Sequence, residues 1–262
     1  MDLQLSLAQM NLSLGNVDAN LQTAARFARD AASAGSHFLL LPELWSSGYD
    51  LANAARYTRA NQHVLEEVRG LALEYRISIG GSLLLEGPGG TYNSFVIIGP
   101  DGQESARYNK LHLFRLMQEE QFLQPGANPQ TAQTAFGLAG MAVCYDLRFP
   151  ELFRRYALDG AQVILLPAEW PARRIDHWNT LLRARAIENQ FFVAGVNVTG
   201  KIGGDIYGGC SAVISPWGET LAVAGSEEGL IHARINLEQV NAVRARIPVF
   251  TDRRPEVYGT DD

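Results

Sequence analysis

Cys144 stands in "AVCYDLRFPE", directly after the apolar run Met141-Ala142-Val143. A thiol in that place has two readings: a small packed hydrophobe at a strand end, or a nucleophile. An ordinary thiol with a pKa of ~8.5 is only a few per cent thiolate at neutral pH, so the second reading needs an activating group. Histidine is the usual activator, but none of the five histidines lies in a comparable motif. Two other segments offer suitable groups. Glu43 follows Leu39-Leu40-Leu41-Pro42, and Lys110 sits in "YNKLHLF" behind a polar turn from Gly102 to Arg107. A glutamate raised to a pKa of ~6–7 by an apolar pocket can take a thiol proton. A lysine ammonium can stabilise the charge that develops on a carbonyl oxygen under attack, worth roughly 3–4 kcal/mol for one such donor. The backbone N–H of Tyr145, next after the thiol, is a second candidate donor. Taken singly, Glu43 also reads as a first-turn carboxylate near a helix start, and Lys110 as a solvated loop lysine. Together the three compose a nucleophile, a base and an electrostatic clamp.

Such groups converge only if the elements before them end at one place, and the chain alternates strand-like and helix-like stretches throughout. "LQLSLAQM" reads as a strand and "NLQTAARFARDAASAG" as a helix ended by Gly35. "HFLLLPE" is a short buried strand stopped by Pro42. A helix over residues 61–76, a strand over 77–86 and a strand running into a turn over 91–102 follow. The second half brings the strand "GLAGMAVCY", a helix opened by Pro150, the strand "QVILLPAEW", a helix over 177–190 and the strand "FFVAGVNVTG". A hairpin-like pair spans 211–229, and 237–250 reads as helical.

Residues 31–45, "AASAGSHFLLLPELW", are echoed at an offset of 125 by residues 156–170, "YALDGAQVILLPAEW". Both run from a helix end through Gly and an apolar strand into Leu-Pro, an acid and Trp. Either this is coincidence, since helix–Gly–strand is common, or the chain holds two related α/β halves. Two such halves pack their sheets face to face under outer helices, and their strand ends open into one cleft.

Composition narrows the partners. The chain has 262 residues, 47% apolar, with a net charge of −6 and no block of like charge, which argues against nucleic acid and anionic membrane. No apolar run approaches the ~20 residues of a membrane span, and the N-terminus lacks a signal-peptide pattern. Two cysteines without a secretory signal suit free thiols in the cytoplasm. There is no CxxC, HExxH, P-loop or GxGxxG, and no linker divides the chain, so one domain over 1–262 is expected.

"LLLPELWSSGY", "YNKLHLF" and "AVCYDLRFPE" resemble, in order, the three signature segments of the nitrilase superfamily of carbon–nitrogen hydrolases. The likeness extends over nearly the whole chain, through Gln9, Asn20, "RARAIENQFFVAGVNVTG", "SPWGE" and "IPVFTDRRPEVY". It implies a four-layer αββα sandwich of two pseudo-symmetric halves, with Glu43 as general base, Lys110 stabilising the tetrahedral intermediate and Cys144 as nucleophile. It implies a second glutamate in "MQEEQFLQPG", Glu119 rather than Glu120, holding Lys110 and helping to position substrate. It implies no metal or organic cofactor, and a homodimer or larger homo-oligomer. "AEWPARRIDHW" with "CYDLRFPELF" is similar to the omega-amidase branch, whose substrates are small α-keto dicarboxylic monoamides such as 2-oxoglutaramate and 2-oxosuccinamate. A guanidinium fork suits their carboxylate. Arg174 is preferred to Arg173, because the branch pattern resembles Trp-Pro-x-x-Arg-x-x-His-Trp; a solvated loop charge is the alternative for either. Trp170 and Tyr49 are expected to wall the pocket or to be core aromatics. Asp146 and Arg148 are expected to pair across the turn, and Cys210 and His177 to be structural. The same triad also suits a carbamoylase, an aliphatic amidase or a nitrilase, and a silent binding protein on this fold is the alternative of another class.

Overall fold

The computed structural model describes residues 2–259. Leu3, Leu5 and Leu7 alternate along β1 (Asp2–Gln9) and enter the core from one face. The Asn16 side chain accepts from the Ala19 N–H and caps α1 (Val17–Ser33). The chain turns at Gly35, which has a positive φ of 78°, into β2 (Phe38–Leu40). Next come α2 (Ala54–Tyr75), β3 (Ser78–Gly87), β4 (Gly90–Ile98) and β5 (Glu104–Asn109). After the short α3 (Glu119–Phe122) the second half contributes β6 (Thr131–Thr134), β7 (Gly137–Met141), α4 (Pro150–Leu158), β8 (Val163–Ala168), α5 (Ile175–Asn189) and β9 (Phe192–Asn197). A small hairpin, β10 (Thr199–Ile202) and β11 (Asp205–Gly208), precedes β12 (Ala212–Ile214), β13 (Thr220–Val223) and β14 (Gly229–Asn236). The chain then forms α6 (Glu238–Arg246) and the single turn α7 (Pro255–Tyr258).

The strands form two six-stranded sheets, ordered β14-β1-β2-β3-β4-β5 and β13-β12-β9-β8-β7-β6. Read from β14 and from β6, both run antiparallel, parallel, parallel, antiparallel, antiparallel. The 125-residue echo therefore reflects two halves of one pattern, with β2 and β8 as matching central strands. Every residue of β8 is buried, as a parallel strand covered on both faces requires. One core cluster joins Leu5, Phe38 and Phe95 of the first sheet to Met141, Leu165 and Ala194 of the second, and includes Phe153 of α4 and Trp178 of α5. A second cluster packs Phe27 of α1 and Val64 of α2 against Leu39 and Ile79. The layers are thus helices, sheet, sheet, helices, the expected αββα sandwich.

The differences from the sequence reading are local. The polar turn expected before Lys110 is the edge strand β5, whose half-exposed residues pair with β4; an edge strand faces water and lacks a hydrophobic signature. The helix expected from residue 61 begins at Ala54. The single strand expected over 191–200 breaks after Asn197 into β9 and β10. Both β6 and β14 were unforeseen, although β14 pairs with β1 along its whole length. Among the described residues no helix is long and apolar enough to cross a membrane.

Candidate active site

Three strand ends and one loop deliver the reactive groups. Glu43 follows β2 after Pro42. The β3 residue Ser82 holds this turn, its hydroxyl accepting from the Leu44 N–H at 2.9 Å and its own N–H donating to the Pro42 carbonyl at 3.2 Å. Leu44 takes a positive φ of 42° there. Lys110 follows β5, its N–H bonded to the Asn93 carbonyl of β4 at 2.9 Å. Glu119 opens α3 and accepts from the Phe114 N–H at 2.7 Å, which folds the 111–118 loop over the site.

Cys144 lies three residues beyond β7 and also has a positive φ, 44°. That conformation is costly for a side chain with a Cβ and persists only where neighbours enforce it. Asp146 is the enforcer. Its fully buried carboxylate accepts from the Val143 N–H at 2.8 Å, the Tyr108 hydroxyl at 2.7 Å and the His112 N–H at 3.1 Å, and lies 2.7 Å from His112 Nδ1. The expected Asp146–Arg148 pair is therefore corrected. Asp146 is used by His112, Tyr108 and the nucleophile turn, while the Arg148 guanidinium sits 4.8 Å over the Trp170 ring, next to His177 Nδ1 at 3.3 Å.

The charged groups meet in the interior. Lys110 Nζ lies 2.8 Å from Glu43 Oε1 and 2.7 Å from Glu119 Oε1, with all three side chains fully buried. The Tyr49 hydroxyl lies 2.8 Å from Glu43 Oε1 and 2.5 Å from Glu119 Oε1, donating its one proton between them. Asn93 Nδ2 reaches Glu43 Oε1 at 2.8 Å, and the Glu169 N–H reaches Glu43 Oε2 at 2.9 Å. The apolar pocket expected around Glu43 is thus corrected to a buried nest of four donors. Tyr49, expected as a pocket wall or a core aromatic, is part of that nest.

Burial alone would lower the Lys110 pKa, but the carboxylates of Glu119 and Glu43 outweigh it and raise it, so the side chain stays an ammonium. Burial and the Glu43 charge push the Cys144 thiol well above the ordinary range, with Lys110 pulling the other way. The resting sulfur is a thiol, and it donates to the Glu169 carbonyl at 3.8 Å. The site thus holds a buried thiol, two glutamates and a fixed cation in one electrostatic unit. Among the described residues no group of three or more His, Cys, Asp or Glu is arranged to hold a metal ion.

Beside the thiol lies a narrow cleft lined in part by Cys144, Tyr145, Glu169, Trp170 and Arg174. Arg174 stacks 5.3 Å from the Phe114 ring and its buried Nη2 has no hydrogen-bond partner. Burial, then the like charges of Arg173 and Arg148, lower its pKa, so an anion there would be welcome. Arg173 does not line the cleft; it is largely exposed, 3.8 Å from Asp205.

The carbon–nitrogen hydrolase family profile matches residues 4–245. The chain belongs to the carbon–nitrogen hydrolase family. Among its relatives is the 2-oxoglutaramate amidase of Bacillus subtilis (strain 168), 39% identical over 259 residues that cover 97% of this chain and 98% of the relative. The human omega-amidase NIT2 is 34% identical over 273 residues, 98% of this chain and 97% of its own. A crystal structure of XC1258 from Xanthomonas campestris, a CN-hydrolase superfamily protein with an arsenic adduct in its active site, superposes with a TM-score of 0.91 at 30% identity, covering 97% and 98% of the two chains.

Within this carbon–nitrogen hydrolase the sequence reading missed the places of Glu169, Arg148 and Asn93. Glu169 left a signal, because it is the acid of the second "LLP…W" echo. Arg148 was seen but given the wrong partner. Asn93 carries no signal, since its role exists only once β4, two strands from β2, reaches the turn beyond β2's end. Cys210 is a free, half-buried thiol whose carbonyl accepts from Trp178 Nε1 at 2.8 Å.

Proposed function

We propose that this chain is an omega-amidase-type amidohydrolase. It cleaves the terminal amide of a small carboxylate-bearing substrate such as 2-oxoglutaramate or 2-oxosuccinamate, giving the keto acid and ammonia. The observation that carries this reading is the buried Lys110 bridging Glu43 and Glu119, whose charges act on Cys144 at the floor of a cleft that Arg174 also lines. The relatives whose names specify these activities support it.

In the cycle, Glu43 takes the thiol proton as Cys144 attacks the amide carbon. A preformed thiolate is not needed, which suits a sulfur kept neutral by burial. Lys110 and the Tyr145 N–H receive the developing oxyanion. Glu119 and Tyr49 hold Lys110 in place. Glu43 then protonates the departing nitrogen, ammonia leaves, and Glu43 activates the water that hydrolyses the thioester. Arg174 binds the substrate carboxylate through its free guanidinium edge, with Trp170 as the adjoining wall. The whole chain acts as one domain, since both halves supply the site. The resemblance further supports a homodimer, and the two free thiols support a cytoplasmic setting.

An ammonia-release panel of 2-oxoglutaramate, an uncharged aliphatic amide, a carbamoyl amino acid and a nitrile tests the assignment. The expected order places 2-oxoglutaramate first, with no release by Cys144→Ala. Preference for the carbamoyl acid or the nitrile, or turnover retained in Cys144→Ala, contradicts it.

A further inference from the structure

The mechanism above leaves one buried acid of the cleft without a task. The backbone of Glu169 is already in the site, its N–H on Glu43 Oε2 and its carbonyl receiving the Cys144 thiol. The residue also lines the same cleft. The residue is only 4% exposed, yet neither carboxyl oxygen has a hydrogen-bond partner. The Tyr207 hydroxyl is near enough to act on the carboxyl as a hydrogen-bond donor and pull its pKa down, but it does not reach the geometry of a full bond. Buried polar atoms are nearly always bonded. A pair left open beside a reactive thiol is placed for a ligand.

The substrate atom it meets follows from its neighbours. Glu43, Lys110 and Glu119 are charges that act on Glu169, and this is the end of the cleft where the scissile bond must lie. The leaving nitrogen has to sit beside Glu43, which returns its proton, and Glu43 is tied to Glu169 through the 2.9 Å peptide bond contact. We propose that the Glu169 carboxyl group recognises the substrate's –NH2, accepting one of its N–H bonds and turning the nitrogen towards Glu43. Burial and the Glu43 charge hold this carboxyl well above the usual carboxylate range. The neutral form that this favours offers a carbonyl acceptor without competing with Glu43 as base. A primary amide satisfies it and an ester, having no N–H, does not, so Glu169 selects the leaving group.

This inference rests on the amidase reading, and its test separates the two. Wild type, Glu169→Leu and Glu169→Gln are compared on a primary amide and on the methyl ester of the same acyl group. Both substrates pass through the same thioester and differ only in what leaves. Glu169→Leu is expected to lose about 10- to 100-fold in kcat/KM on the amide and to keep its ester turnover, which also shows that it folds. Glu169→Gln keeps a neutral carbonyl in the same place and is expected to recover at least about ten-fold of the amide loss. Equal losses on amide and ester, or a Gln variant as impaired as the Leu variant, overturn the role. Absence of amide turnover in the wild type overturns the amidase reading itself.

Discussion

Glu43 and Glu169 stand just beyond matching central strands, β2 and β8, and both are buried, at 0% and 4% exposure. Their surroundings differ in almost everything else. Glu43 receives an ammonium, a phenol, an amide side chain and a backbone N–H. The Glu169 carboxyl has only the Tyr207 hydroxyl near it, short of a full hydrogen bond, and burial and the Glu43 charge push it towards its neutral form. Equal burial thus leaves the two acids in different surroundings, one ringed by donors and the other open, which suits the proposed tasks of base and binding group. The donors aimed at a carboxyl, as well as its depth, set its chemistry.

The largest expected effect comes from breaking the charged member. Glu43→Gln removes the base and leaves Lys110 with Glu119 alone, and should lower kcat by about 10²–10⁴-fold, read as steady-state ammonia release. A loss near that of Glu169→Gln would erase the contrast. Arg174→Met comes next. It should raise KM for carboxylate-bearing amides by about 10- to 100-fold while sparing uncharged amides, and equal losses on both would remove Arg174 from substrate recognition. The smallest effect is electrostatic. The Cys144 thiol is raised by burial first and by Glu43 second, so its thiolate form is disfavoured below the ordinary thiol range and appears only at higher pH. Glu43→Gln removes the repelling charge and leaves the attraction of Lys110, so the thiolate absorbance should appear at lower pH than in the wild type. An unmoved titration would show that Glu43 does not act on the sulfur.

How much of this the bare sequence disclosed depends on whether a feature is local. Glu43, Lys110 and Cys144 each follow a recognisable segment, and the 125-residue echo matches the pairing pattern common to both sheets. Features made by juxtaposition stayed hidden. β5 faces solvent on an edge and alternates polar residues, so it resembled a turn. Arg148 lies two residues from Asp146, but the one-turn helix over Cys144–Arg148 sends the two side chains to different neighbours. Glu169 was visible as the acid of an echo, whereas its lack of partners exists only in three dimensions. The nest around Glu43 is the clearest case: an apolar run before a glutamate suggests an apolar pocket, yet Tyr49, Asn93, Lys110 and the Glu169 peptide N–H converge on it from four separate parts of the chain.

The central claim is that the Cys144 sulfur carries the acyl group between loss of ammonia and entry of water. Acid-quenching the wild-type enzyme during turnover of 2-oxoglutaramate, followed by peptide mass spectrometry, tests it directly. The account predicts an adduct equal to the substrate less ammonia on the peptide containing Cys144, and none on the peptide containing Cys210. Steady ammonia release with both cysteine peptides unmodified, or with the adduct on Cys210, would contradict it.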